Sequence, residues 1–249
     1  MKKTRFSLIV PLAACILCAS AQGLTFFADN FGTQATGPED PLSPQTGGYL
    51  DLVNISNAMA DADNWFGEGT NNGILRFYDP GPDVARIRMG EAAGDDSWNL
   101  DVGRFSFDYY ELAPTTGTIR INLVGCTNGM NFIDLLGNGT YRGRLNNYEY
   151  GKEQLVHFDL YFNTTDDEVE FEGVTLPARR MQCYVDGSFG SGNLWDKDTL
   201  GSVSNIYWFS VGSAEVQGYF DNTEVAGIPE PFFFGALALA GAALLRRRR

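Results

Sequence analysis

Histidine is almost missing from this chain: His157 is the only one in 249 residues. Any Ser-His-Asp or Cys-His machinery would have to be built on it. It sits where Val156, Phe158, Leu160 and Phe162 alternate with polar residues, so the period of two turns it away from the apolar face. It reads as a surface histidine on a strand. Cysteine is scarce too, with four in all. Cys15 and Cys18 lie in the N-terminal apolar stretch, which leaves Cys126 and Cys183 for the body. That number rules out a zinc centre made from His and Cys clusters. In an oxidising compartment the two either pair or remain small buried thiols, and the thiol reading is preferred because spacing alone brings nothing together.

Positive charge is the third shortage. The chain has 18 Lys and Arg against 31 Asp and Glu. Three of the basic residues stand in residues 1–5 and four at the very end, so residues 22–227 hold 11 basic against 30 acidic side chains, a balance of −19. Such a surface repels nucleic acid, whose phosphates need Lys and Arg. It favours solubility outside the cell and attraction to divalent cations. Long apolar runs are also lacking: the longest near the C-terminus, residues 232–245, is 14 residues. No amphipathic helical period is evident in the body, and no fixed-period repeat suggests a propeller or solenoid.

What is present begins with two targeting patterns. Lys2, Lys3 and Arg5 lead a largely apolar stretch over residues 6–17, and Ala19-Ser20-Ala21 supplies small residues before Gln22. This is the order of a secretory signal peptide, residues 1–21. Residues 12–15, Leu-Ala-Ala-Cys, also resemble a lipobox that would acylate Cys15, but the apolar segment before them is short and broken by Pro11. Export follows from either reading. At the other end, Pro229-Glu230-Pro231 precedes the apolar run, and Arg246, Arg247, Arg248 and Arg249 end the chain. As a helix the run would extend roughly 21 Å, short of a bilayer core of about 30 Å unless the arginines snorkel and flanking residues help. A buried core helix of this length would keep a polar face and would not end in four arginines. The arginines are expected to stay cytoplasmic, with everything before them outside.

Pro-Glu-Pro, a short apolar run and a terminal arginine cluster resemble, in that order, the PEP-CTERM sorting signal of bacterial surface proteins. The resemblance covers residues 228–249. It implies an exosortase partner that recognises the Pro-Glu-Pro region and cuts near it, transient anchoring in the inner membrane, and delivery to the cell surface or extracellular matrix.

Between the signals, residues 22–227 suffice for one domain with its own core. Apolar alternation marks strands around residues 24–28, 49–55, 74–78, 84–89, 104–109, 119–123, 156–162, 169–171, 181–185, 203–211 and 215–220. Residues 57–72 and 186–193 read as polar or Gly-rich loops. Residues 104–109 and 119–123, separated by Ala-Pro-Thr-Thr-Gly, read as a hairpin. The expected fold is an all-β antiparallel sandwich. Phe-Ala-Asp-Asn-Phe at the start and Tyr-Phe-Asp-Asn-Thr-Glu-Val at the end resemble the first and last strands of concanavalin-like and carbohydrate-binding jelly rolls.

Candidate sites follow from residue type. Calcium needs six to eight oxygens, and Asp29 and Asp221 belong to the strands expected to meet at the termini of such a sandwich. Sugar binding needs aromatic faces beside polar groups, which Trp65, Trp98 and Trp195 offer in Gly/Asn/Asp-rich segments; Trp208 reads as core. Glu168, Glu170 and Glu172 alternate and would share one strand face, the pattern a paired-carboxylate hydrolase or lyase requires. Jelly-roll laminarinase-like hydrolases carry a similar alternation, from which this sequence departs in both central residue and spacing. No catalytic residue is therefore assigned. The sequence reads as an exported, non-catalytic, exopolysaccharide-associated surface or matrix protein, with the hydrolase and a purely structural role as alternatives.

Overall fold

Alternation from residue 104 to 110 builds the strand about which the molecule is arranged. Phe105, Phe107 and Tyr109 point one way into the core, while Arg104, Asp108 and Tyr110 point the other. The computed structural model describes residues 24–29, 49–53, 57–60, 64–68, 73–79, 86–90, 99–112, 117–125, 129–143, 146–194, 201–212 and 214–229. Among these there is no helix. The strands are β1 (Leu24–Asp29), β2 (Tyr49–Val53), β3 (Asn57–Ala60), β4 (Gly73–Asp79), β5 (Arg86–Gly90), β6 (Leu100–Tyr110), β7 (Thr118–Gly125), β8 (Gly129–Leu135) and β9 (Thr140–Arg142). They continue with β10 (Asn147–Glu149), β11 (Leu155–Asn163), β12 (Val169–Phe171), β13 (Val174–Leu176), β14 (Arg180–Val185), β15 (Ser188–Leu194), β16 (Val203–Val211) and β17 (Val216–Pro229).

All pairings are antiparallel. In one layer β17 pairs with β6 along one edge and with β4 and then β1 along the other, and β6 continues to β11, β14 and β15. In the second layer the order is β2-β5-β16-β7-β8-β9-β10. The ladder crosses between layers at a single bridge, Val203 opposite Leu100. The layers face each other through aromatic rings: Trp208 of β16 lies 5.4 Å from Phe105 and 5.1 Å from Phe220, and Tyr141 of β9 lies 5.7 Å from Phe158. Burying a ring of this size stabilises by about 1.5–3 kcal/mol, so these residues carry the fold. The expected all-β sandwich is what the chain adopts.

Four sequence expectations need correction. β6 and β7 are not a hairpin: β16 stands beside β7, and β6 takes β11 and β17 as partners. Residues 57–72 include β3, paired with β4. The Gly-rich stretch 186–193 contains β15, because Asp186 (φ 47°) and Gly187 (φ 73°) form a two-residue turn that folds it back on β14. Finally, β17 does not stop near residue 220; it runs on to Pro229, which stands opposite Leu100. β17 therefore takes up the first two residues of the segment 228–249.

Candidate functional site

The outer face of the first layer is divided into three zones by what covers it. At one end the β12–β13 hairpin lays Phe171 and Leu176 on Val102, Tyr161 and Ala226. At the other, Phe66 packs on Ile74 and Tyr219, with Trp65 and Tyr110 beside them. Val102 and Tyr110 are the two ends of the outward side of β6, so the middle of that strand lies between two apolar caps.

That middle zone is charged. Arg104 reaches Glu224 at 2.8 Å, Glu172 at 3.2 Å and Asp159 at 3.4 Å. His157 sits between two carboxylates, Nδ1 at 2.6 Å from Asp108 and Nε2 at 3.4 Å from Asp159. Hydrogen bonds to Asp108 and then Asp159 push its imidazole up to about 10. It is an imidazolium at neutral pH, with both nitrogens engaged, and has no free nitrogen to act as a base. A bulge in β17 between Asp221 and Glu224 puts Asn222 in the left-handed region (φ 47°), and its amide donates to Asp108 at 2.9 Å and Glu68 at 3.1 Å.

The glutamates read as one strand face are not one. β12 has only three residues, Glu168 precedes it, and Glu172 lies in the turn at φ 50° before Gly173. Glu168, Glu170 and Glu172 are all exposed, and of the three only the Glu172 carboxylate forms an ion pair among the described residues, with Arg104. Burial raises the Glu172 pKa against the opposing pull of Arg104.

A different arrangement lies at the open edge of the sandwich, where the β14–β15 turn approaches β9 and β10. Tyr141, Tyr148, Tyr150 and Phe189 line a cleft of about 610 Å³ together with Gln154 and Asp186. That volume falls in the range of small-ligand sites. Tyr148 stacks on Tyr141 (5.1 Å, 19°), and Tyr141 is buried against Phe158. Phe189 is 59 % exposed, the most exposed large apolar side chain described, and Leu155 nearby in sequence to Gln154 is 42 % exposed. Below the cleft, the buried Glu111 accepts a hydrogen bond from the Tyr150 hydroxyl and pairs with Lys152 at 3.3 Å. Gly190 makes room: a Cβ there would stand 1.8 Å from the Tyr141 hydroxyl. Asp186 joins the cleft to the charged zone, since its carboxylate accepts the His157 backbone N–H at 2.9 Å.

Of the residues singled out in the sequence, Trp65 stacks one ring face on Tyr110 (5.1 Å, 9°) and packs against Tyr219, so it serves an apolar cap. Trp98 and Trp195 lie outside the described residues, as do Cys126, Glu230, Pro231 and Arg246 to Arg249. Trp208 is in the core as expected. Asp29 stands opposite Thr223 on paired strands, two residues from the fully buried Asp221, whose carboxylate accepts the Asn222 N–H at 2.7 Å. Among the described residues no group of three or more His, Cys, Asp and Glu is placed to hold a metal ion. Nor is any described helix long and apolar enough to cross a membrane. Cys183 is a buried free thiol, pushed by burial up to about 12. The sequence missed Phe189 and Tyr148, and the Asp186-Gly187 turn was the signal that would have placed Phe189 at a hairpin tip.

No family model matches the sequence, and no curated protein was found to match it. Solved structures do resemble it. A sialidase aligns with a TM-score of 0.51 at 15 % identity, over 72 % of this chain and 17 % of that one. A botulinum neurotoxin type C structure, described as depending on two ganglioside molecules for cell entry, aligns at 0.50 and 10 % identity, over 81 % of this chain and 47 % of that one. The type G neurotoxin receptor-binding domain aligns at 0.50 and 8 %, over 82 % and 48 %. The chain thus spans less than half the length of these neighbours. At such identities the likeness is one of architecture, and it makes the sandwich jelly-roll-like.

Proposed function

We propose that this is an exported surface or matrix protein whose sandwich is a non-catalytic glycan-binding module. The observation that carries the reading is the edge cleft, where an exposed Phe189 and the stacked Tyr141–Tyr148 pair stand beside Gln154 and Asp186. Flat apolar rings next to hydrogen-bonding side chains suit a sugar, which has apolar ring faces and polar edges. The type C neurotoxin structure of similar architecture, with its dependence on gangliosides, is in keeping with a sugar ligand. The paired-carboxylate alternative draws less support, because Glu172 is engaged by Arg104 and Glu168 stands exposed outside the strand.

Export and sorting rest on the sequence: the leader, then Pro229-Glu230-Pro231, the apolar run and the four arginines. On this reading an exosortase is the processing partner, and exopolysaccharide is the ligand class. A calcium ion between β1 and β17, near Asp29 and Asp221, would be structural.

The test is affinity electrophoresis of the full chain through gels containing different polysaccharides, with calcium and with chelator. Retardation by at least one glycan is expected, weakened about tenfold or more in Phe189→Ala if the ring contributes about 1.5 kcal/mol. Retardation that Phe189→Ala and Tyr148→Ala both leave intact would remove the cleft from the account. Unchanged mobility in every gel would favour a purely structural surface protein. Loss only with chelator would shift the site to calcium.

A further inference from the structure

Over its five inner strands the outer face of the second layer carries the opposite charge from the rest of the molecule, flanked by Asp51 of β2 and the exposed Glu149 of β10. β5, β16, β7, β8 and β9 hold four arginines, Arg86, Arg88, Arg120 and Arg142, and a single acid, Asp134. Four of the 11 basic residues in an otherwise strongly acidic body thus stand on five adjacent strands. Their register puts them in a line. Arg86 is opposite Phe209, Phe209 opposite Arg120, Arg120 opposite Asp134, and Asp134 opposite Arg142. With strands about 4.8 Å apart, this row crosses the sheet over roughly 19 Å. A shorter row, Arg88 and Tyr207, runs beside it.

The members of the row differ in what they still have to offer. Asp134 accepts from Arg120 at 2.7 and 3.0 Å and from Arg142 at 2.5 Å. Burial would raise its carboxyl, but those two guanidinium groups outweigh burial and hold it below the ordinary value. One acid is therefore shared by two arginines, and that end keeps a net positive charge. Arg86 and Arg88 make no ion pair among the described side chains; Arg88 donates its Nε to Asn205 at 2.9 Å, which leaves its terminal nitrogens for other acceptors. Asp51 of the flanking β2 stands opposite Arg88 in register and would offset one charge at most. The guanidinium carbons of Arg86 and Arg88 lie 5.5 and 5.7 Å from the centre of the Tyr207 ring, and Arg120 lies 5.9 Å from Phe209. A guanidinium stacked on a ring keeps its in-plane N–H groups directed outward, the geometry that binds a carboxylate or sulfate through two parallel hydrogen bonds.

We propose that this arginine–aromatic row is a second binding surface, separate from the cleft, and that it takes an acidic polysaccharide bearing carboxylate groups. Charge complementarity selects an anionic partner. A straight row of three guanidinium groups, with Phe209 between the first two and Asp134 between the last two, suits an extended polymer better than a folded protein surface. A second copy of this chain would have to present its own acidic zone, but that zone is paired internally with Arg104 and His157 and lies between two apolar caps.

The experiment measures binding of the full chain to polygalacturonate and to a neutral β-glucan, at 0.05 M and 0.5 M salt, for the wild type, Arg86→Gln/Arg88→Gln and Phe189→Ala. Both arginines lie on the outer side of an edge-proximal strand, and circular dichroism checks that the double variant folds. Polygalacturonate binding is expected to fall at least tenfold in the double variant and at least tenfold at high salt, where screening shortens electrostatic reach to a few ångströms. Phe189→Ala is expected to leave it unchanged. Equal affinity of the double variant, or equal affinity of the wild type for the neutral glucan and polygalacturonate, overturns the proposal. So does self-association that the double variant abolishes in the absence of polyuronate binding. Failure of the cleft reading shows separately, in the Phe189→Ala arm with the neutral glucan.

Discussion

At the scale of single residues, the polar groups on the outer face of the first layer explain how an acid-rich surface is kept together. His157 gains its partners only on folding, so its folded pKa of about 10 lies above the ordinary 6.5. A raised pKa stabilises fully below about pH 6.5, and that contribution fades as the pH rises toward 10. The difference in melting temperature between wild type and His157→Gln should therefore be largest near pH 6 and shrink toward zero by pH 10. A difference that grows with pH would contradict the hydrogen bonds to Asp108 and Asp159. Glu111 makes a second case. It is fully buried and takes both the Tyr150 hydroxyl and Lys152. Removing one partner of such a buried set leaves the others unpaired, so Glu111→Ala should cost about 3–5 kcal/mol in denaturant unfolding. A loss under 1 kcal/mol would show that water replaces the carboxylate.

At the scale of elements, two hairpins shape the surface, and both rest on the same backbone device. Asp186-Gly187 and Glu172-Gly173 each place two consecutive residues at positive φ. Such turns match the twist of the strands they join. At Gly187 a side chain would meet no neighbour, so the cost of Gly187→Ala is conformational, about 1–2 kcal/mol, without steric clash. Because the turn positions Phe189 and Asp186, that change should also weaken glycan binding; unaltered stability and binding together would mean the turn does not set the cleft. How legible the elements were depended on whether they bury one face. β6, β7, β11 and β16 have clean alternation of large apolar residues and were readable from the sequence. β15, written Ser-Phe-Gly-Ser-Gly-Asn-Leu, alternates weakly and looked like a loop. Adjacency was harder still: β6 and β7 are neighbours in sequence, but the partners of β6 come from residues 155–163 and 216–229, and nothing local encodes so distant a pairing.

At the scale of the molecule, charge and aromatic surface are segregated. One outer face is acidic and internally paired, the other carries a line of arginines, and the edge between the layers opens on tyrosines and Phe189. The charged zone drew on residues whose outward direction the sequence disclosed, His157 among them, but their cross-strand partners came only with the register. The cleft was less legible, since Tyr141 and Tyr148 of the β9–β10 hairpin and Phe189 of the β14–β15 hairpin converge only when the layers stack. Loop tryptophans offered the stronger signal by residue type, yet Trp65 is occupied by Tyr110. The central claim is that this sandwich binds a glycan through its edge cleft. Its most direct test is the affinity of the full chain for a retarding polysaccharide, compared between wild type and Phe189→Ala. A loss of about tenfold or more with unchanged folding is expected, as removal of one stacking ring would give; an affinity equal to that of the wild type would place glycan binding elsewhere than the cleft.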